Sequence, residues 1–124
     1  SFMAWERAAK TAGLEVPTKR VGCYFAQPDF IASHSSLLQQ AYAKASVYGN
    51  PRILFSAHGL PQKVVDEGDP YQWQVEQTAA AILAAWPGSK PDALVCYQSK
   101  VGPLKWLEPS TEQAIEQACQ DKVP

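Results

Sequence analysis

The run from Arg52 to Ala57 (Arg, Ile, Leu, Phe, Ser, Ala) constrains the fold most. It is apolar without alternation, with Pro51 before it and His58-Gly59-Leu60-Pro61 after it. A strand with one wet face alternates apolar and polar residues, whereas a short unbroken run has both faces covered, as strands of parallel sheets do. Two further runs share this character, Val21 to Phe25 and Ala93 to Tyr97. Stretches of helical period separate them. The order α-β-α-β-α-β-α predicts parallel βαβ units, an α/β fold with three strands in this chain.

The helical stretches carry their own start and stop signals. Phe2, Trp5, Ala8, Ala9 and Ala12 recur at helical spacing and stop at Gly13. Pro28 opens a second helix with Phe30, Ile31, Leu37, Leu38, Ala41, Tyr42 and Ala45 on one stripe, ending near Gly49-Asn50. A third starts at Asp69-Pro70: Asp69 caps, Pro70 takes the first helical position, and Gln72 is placed to reach back as in a capping box. Tyr71, Val75, Thr78, Ile82 and Trp86 form its stripe, and Pro87-Gly88 ends it. Ser110 with Gln113 offers a cap for a last helix carrying Ala114, Ile115, Ala118 and Cys119. The chain opens at Ser1-Phe2 inside a helical pattern and stops at Val123-Pro124, where a fourth strand could begin. The pattern therefore predicts an incomplete domain over residues 1–124, truncated at both ends.

Composition narrows the function classes. At 124 residues, with 46% hydrophobic and 19% charged side chains, the chain has the make-up of one globular domain rather than a disordered segment. Eleven basic against twelve acidic side chains leave a net charge of −1, with no surplus to neutralise a nucleic-acid backbone. No apolar run approaches the ~18 residues of a membrane span. Cys23, Cys96 and Cys119 are an odd number, far apart, and fit a reducing compartment. The expectation is a cytoplasmic protein with no nucleic-acid partner and no transmembrane segment.

In parallel α/β sheets, ligands bind beyond the carboxyl ends of the strands. Ser56-Ala57-His58-Gly59 puts a histidine at such a strand tip, beside a glycine that allows close approach. A histidine there can accept a proton near neutral pH or ligate a borderline metal, and it can equally be a loop histidine bonded to backbone. His34 lies beside the apolar stripe of the second helix and reads as packing. Asp66, Glu67 and Asp69 read as a helix cap with solvated charges. The loop after the third strand brings Gln98, Ser99 and Lys100 together with Trp106-Leu107. That mixture suits either a flat aromatic ligand carrying carboxylates or a loop anchored by a buried Trp.

Two blocks in these loops resemble the central signature of ferrochelatases. One is Ser56-Ala57-His58-Gly59-Leu60-Pro61 with Val64-Val65, Gly68-Asp69-Pro70-Tyr71 and Gln74-Val75. The other is Tyr97-Gln98-Ser99-Lys100-Val101-Gly102-Pro103 with Trp106-Leu107 and Pro109. Tyr24-Phe25 to Pro28 and Phe30-Ile31 to His34 look like the family's middle segment. Gly68-Asp69-Pro70-Tyr71-Gln72-Trp73-Gln74-Val75 is most similar to the α-proteobacterial versions.

The resemblance implies a chelatase-type fold of two Rossmann-like domains facing each other across a porphyrin cleft, with residues 1–124 a partial second domain. It implies insertion of Fe²⁺, as substrate metal, into protoporphyrin IX to form protohaem. His58 matches the family's active-site histidine, read either as metal ligand or as the base for pyrrole protons. Gln98, Ser99 and Trp106 match positions lining the porphyrin pocket. The N-terminal domain and the C-terminal segment carrying the histidine's acidic partner would lie outside this chain, which alone would be inactive. Cysteine positions leave an iron–sulfur cluster undecided, and the sequence leaves peripheral membrane contact open. A tetrapyrrole chelatase for another metal and a non-catalytic α/β binding module are the alternatives.

Overall fold

The computed structural model describes residues 2–124, so Ser1 lies outside the described residues. Its centre is a pair of parallel strands, β1 (Ile53–His58) and β2 (Ala93–Gln98), in register from Ile53 opposite Ala93 to His58 opposite Gln98. Both carboxyl ends therefore stop at the same edge. Helices cover the pair from two sides. On one side Ser56 and Cys96 meet Thr111 of α5 (Thr111–Asp121). On the other, Tyr97 faces α4 (Tyr71–Ala84), and α2 (Pro28–Ala45) packs on α4. Ile53, Ala79, Ile82, Cys96, Tyr97 and Ala114 are buried between these layers. This is the expected α/β arrangement with a parallel sheet.

The third expected strand is not formed. Residues 21–25 run as irregular backbone, with Val21 and Tyr24 exposed. Gly22 weakens the run as a strand, and Phe25 settles against α4 while Tyr24 meets Phe30 of α2. The Phe25 ring stands edge-on to Trp73 at 5.0 Å, and Thr78 Oγ1 donates to the Phe25 carbonyl at 2.8 Å. The sheet is two-stranded among the described residues.

Local chemistry explains the helix ends. Gln27 caps α2 by accepting from the Phe30 N–H at 2.7 Å, with Pro28 at the first turn. The packed face of α2 runs through Ile31, Ser35, Leu38 and Tyr42, while Leu37, expected on the stripe, is exposed. At α4, Asp69 accepts from the Tyr71 N–H at 2.9 Å, as expected of a cap. Pro70 flanks the helix instead of opening it, and Gln72 donates to Glu76. The capping box fails because the Asp69 N–H that Gln72 would accept from is already given to the Val64 carbonyl. At α5 the box is complete, Ser110 accepting from Gln113 N–H and Gln113 Oε1 from Ser110 N–H.

Two further features were not expected. A short helix, α3 (Gln62–Asp66), occupies part of the loop after β1. Arg52, at the start of β1, bonds Asp92 at 2.7 Å and Asp121 at 2.6 Å, while its backbone N–H donates to the Pro124 carbonyl. That clamp ties the amino ends of both strands to the end of α5. The first helix, α1 (Phe2–Thr11), ends before Gly13 as expected and buries none of its residues; an ion pair from Arg20 to Glu6 holds it to the following segment.

Candidate functional site

His58 is the last residue of β1 and is exposed. Its register partner is Gln98, the last residue of β2. The ladder runs one step further, because Gly59 N–H donates to the Gln98 carbonyl at 2.8 Å. Beyond that point the two loops pair with each other. Gln62 N–H donates to the Lys105 carbonyl at 2.9 Å, and Leu107 N–H donates to the Leu60 carbonyl at 3.0 Å. Pro61 and Trp106 face each other as an antiparallel bridge between them. The parallel pair thus ends in a small antiparallel ribbon that joins both loops at the carboxyl edge.

Gly59 makes this closure sterically feasible. A β-carbon there would lie 2.9 Å from the Gln98 carbonyl oxygen and 3.2 Å from Trp106 Cε3. The close approach anticipated for a ligand is made by the protein itself. Trp106 is 9% exposed, and its indole N–H donates to the Val101 carbonyl at 3.1 Å. Of the alternatives for this loop, the geometry is that of an anchor under the edge. Ser99 leaves β2 with φ +72, a left-handed conformation uncommon outside glycine, and is exposed beside Gln98.

The four expected site residues thus gather at one edge: His58, Gln98 and Ser99 on the surface, Trp106 beneath them. Next to them a cleft of about 360 Å³ opens between Ser99, Lys100, Leu107 and the start of α5. Glu112, which lines it, is exposed and is held below the usual carboxylate range by its own backbone N–H and by the Ser110 hydroxyl.

Sequence reasoning missed the hydroxyl pair that joins the sheet to α5. Ser56 Oγ, two residues before His58 on the same face, lies 2.7 Å from Thr111 Oγ1, which lies 3.6 Å from Cys96 Sγ. The signal was present in the alternation of β1, which puts Ser56 and His58 on one face. The remaining candidates settle into packing and capping. His34 Nδ1 sits 2.9 Å from the Phe30 carbonyl oxygen. Asp66 accepts from Gln62, Glu67 lies near Lys63, and Asp69 caps α4. Among the described residues no group of three or more His, Cys, Asp or Glu side chains could hold a metal ion, and all three cysteines are free. No helix of the described residues is long and apolar enough to cross a membrane.

The whole chain resembles known proteins. The family model described as ferrochelatase matches residues 1–124. The ferrochelatase of Wolbachia sp. subsp. Drosophila simulans (strain wRi) is 44% identical over 124 residues, all of this chain and 39% of that protein. The ferrochelatase of Caulobacter vibrioides (strain NA1000 / CB15N) is 47% identical over 118 residues, 95% of this chain and 33% of that protein. That of Rickettsia bellii (strain OSU 85-389) is 45% identical over 103 residues, 83% of this chain and 28% of that protein. The chain spans less than two-fifths of the length of these relatives.

Proposed function

The chain belongs to the ferrochelatase family, and from that premise we propose that it is part of the second domain of an enzyme inserting Fe²⁺ into protoporphyrin IX to form protohaem. The observation that carries the reading is the exposed His58 at the carboxyl edge, opposite Gln98 and beside Ser99. A rigid strand holds the imidazole, and the edge in front of it is open.

The chemistry of insertion suits that arrangement. Two pyrrole protons leave the macrocycle as the metal enters, and a neutral imidazole can accept a proton near neutral pH. The same lone pair is a good Fe²⁺ ligand. Either role requires a histidine that is exposed and held in place, as His58 is at the end of β1. Gln98 and Ser99 supply polar contacts on the porphyrin side, and Trp106 supports them from below. A planar porphyrin hides its nitrogen lone pairs, so binding energy from rigid walls is used to bend it. One wall of such a cleft is built here; the facing wall and the acidic partner of His58 belong to the rest of the enzyme.

The test is metal insertion by the full-length protein, with protoporphyrin IX and either Fe²⁺ or Zn²⁺, followed by absorbance and fluorescence. Conversion of the free-base spectrum to the metalloporphyrin spectrum supports the reading. An unchanged spectrum with both metals under conditions where porphyrin binds would refute it.

A further inference from the structure

Resting on the chelatase reading above, we infer that Gly59 and Trp106 form a latch that fixes His58 relative to Ser99, making Trp106 a positioning residue rather than a face offered to the porphyrin. The contacts converge on Gly59. Its N–H donates to the Gln98 carbonyl at 2.8 Å, and a β-carbon on it would come within 2.9 Å of that oxygen and 3.2 Å of Trp106 Cε3. The carbonyl belongs to the end of β2 and cannot yield without moving Gln98. The ring cannot yield either. Trp106 is held on its backbone side by the bridge to Pro61 and on its ring side by the indole bond to the Val101 carbonyl.

That indole bond reaches back across the loop that Ser99 opens, and it does a second job. Ser99 and Gly102 both have left-handed backbone, at φ +72 and +67. A serine persists in that conformation only when its surroundings over-determine it, and such residues concentrate at functional sites. The Trp106-to-Val101 bond pins the stretch between them. One buried side chain therefore sets both groups at the edge, His58 through Gly59 and Ser99 through Val101. With 9% of its surface exposed, Trp106 has little ring face left for stacking.

The experiment compares Gly59→Ala, Trp106→Phe and His58→Ala in the full-length protein, measuring kcat and the porphyrin KM for Zn²⁺ insertion separately. A displacement of about 1 Å at a catalytic group costs about 10²-fold in rate. The latch predicts that Gly59→Ala lowers kcat by about 10- to 100-fold with porphyrin KM changed less than about threefold. It predicts that Trp106→Phe, which keeps an aromatic ring and loses the N–H, also lowers kcat at near-constant KM. A Trp106→Phe protein with unchanged kcat and raised KM would overturn the latch and make the ring a porphyrin wall. If Gly59→Ala fails to fold, the Trp106→Phe split between kcat and KM decides alone. Absence of insertion by the parent protein would instead break the chelatase reading itself, and retained insertion in His58→Ala would break only the role of His58, so the failures are distinguishable.

Discussion

Replacing Ser110 with alanine removes one half of the capping box that starts α5 next to the functional edge. Ser110 Oγ accepts from the Gln113 N–H at 3.2 Å, and Gln113 Oε1 accepts from the Ser110 N–H at 2.8 Å. The substitution leaves the second bond and frees the first, so one N–H at the helix start loses its partner. Loss of a Ser cap to Ala costs about 1 kcal/mol, within a range of about 0.5–2, whereas loss to Gly costs only a few tenths. About 1 kcal/mol is roughly a fivefold shift in the folded-to-unfolded ratio. Urea unfolding of the full-length protein reads it as a lower midpoint at unchanged slope. The series should rank Ser110→Thr near the parent, Ser110→Gly slightly lower and Ser110→Ala lowest. Gln113→Ala should cost a further increment, and the double variant should cost less than the sum if the two bonds support each other. Equal midpoints for Ser110→Ala and the parent would show that the box contributes nothing and that α5 is held by Ala114 and Thr111 alone.

Other outcomes follow from the charged and phenolic groups. Arg52 holds the Asp121 carboxyl below the usual range. The stability this gives is present above the unfolded-state pKa and is lost as pH falls through the lower folded value. Asp121→Asn should accordingly flatten the acid limb of a pH–stability profile; an unchanged acid limb would refute the clamp's role. The Tyr97 hydroxyl is buried without a hydrogen-bond partner, and burial pushes it up from 10.0 to about 12. Here the folded state keeps its proton longer, so stability is intact below pH ~10 and falls as pH rises towards 12. Tyr97→Phe should lose part of that alkaline decline and be no less stable at neutral pH, which alkaline urea titrations can check. The 124-residue chain alone should show no insertion activity, since the proposed cleft needs a second wall from the rest of the protein; turnover at the full-length rate would refute that.

The legible parts of this fold were those set by local pattern. Mostly apolar runs at Ile53–Ala57 and Ala93–Tyr97 read as strands covered on both faces, and the structure pairs them in parallel. Ser110 and Gln113 form the box because no backbone carbonyl takes the Ser110 N–H; Asp69 and Gln72 have the same spacing but do not, because Val64 takes the Asp69 N–H. Competition of that kind is tertiary and is not written in spacing. Val21–Phe25 had the composition of a strand, yet its aromatic and polar partners lie on α2 and α4 rather than on a neighbouring strand. The edge holding His58, Gln98 and Ser99 was legible because parallel strands bring their carboxyl ends together. The burial of Trp106 depends on the ribbon formed by the two loops, whose pairing involves Leu60, Gln62, Lys105 and Leu107 through backbone alone. Backbone pairing between loops leaves little trace in side-chain pattern.

The most direct measurement is His58→Ala in the full-length protein, with metal insertion and porphyrin binding followed in the same preparation. His58 is exposed at the strand end, so its removal should leave the fold and the ribbon intact. The account predicts no detectable insertion of Fe²⁺ or Zn²⁺, with porphyrin affinity within about threefold of the parent because Gln98, Ser99 and the facing wall remain. Near-normal insertion by His58→Ala would contradict both the ligand and the proton-acceptor roles, and with them the assignment of this edge as the catalytic one.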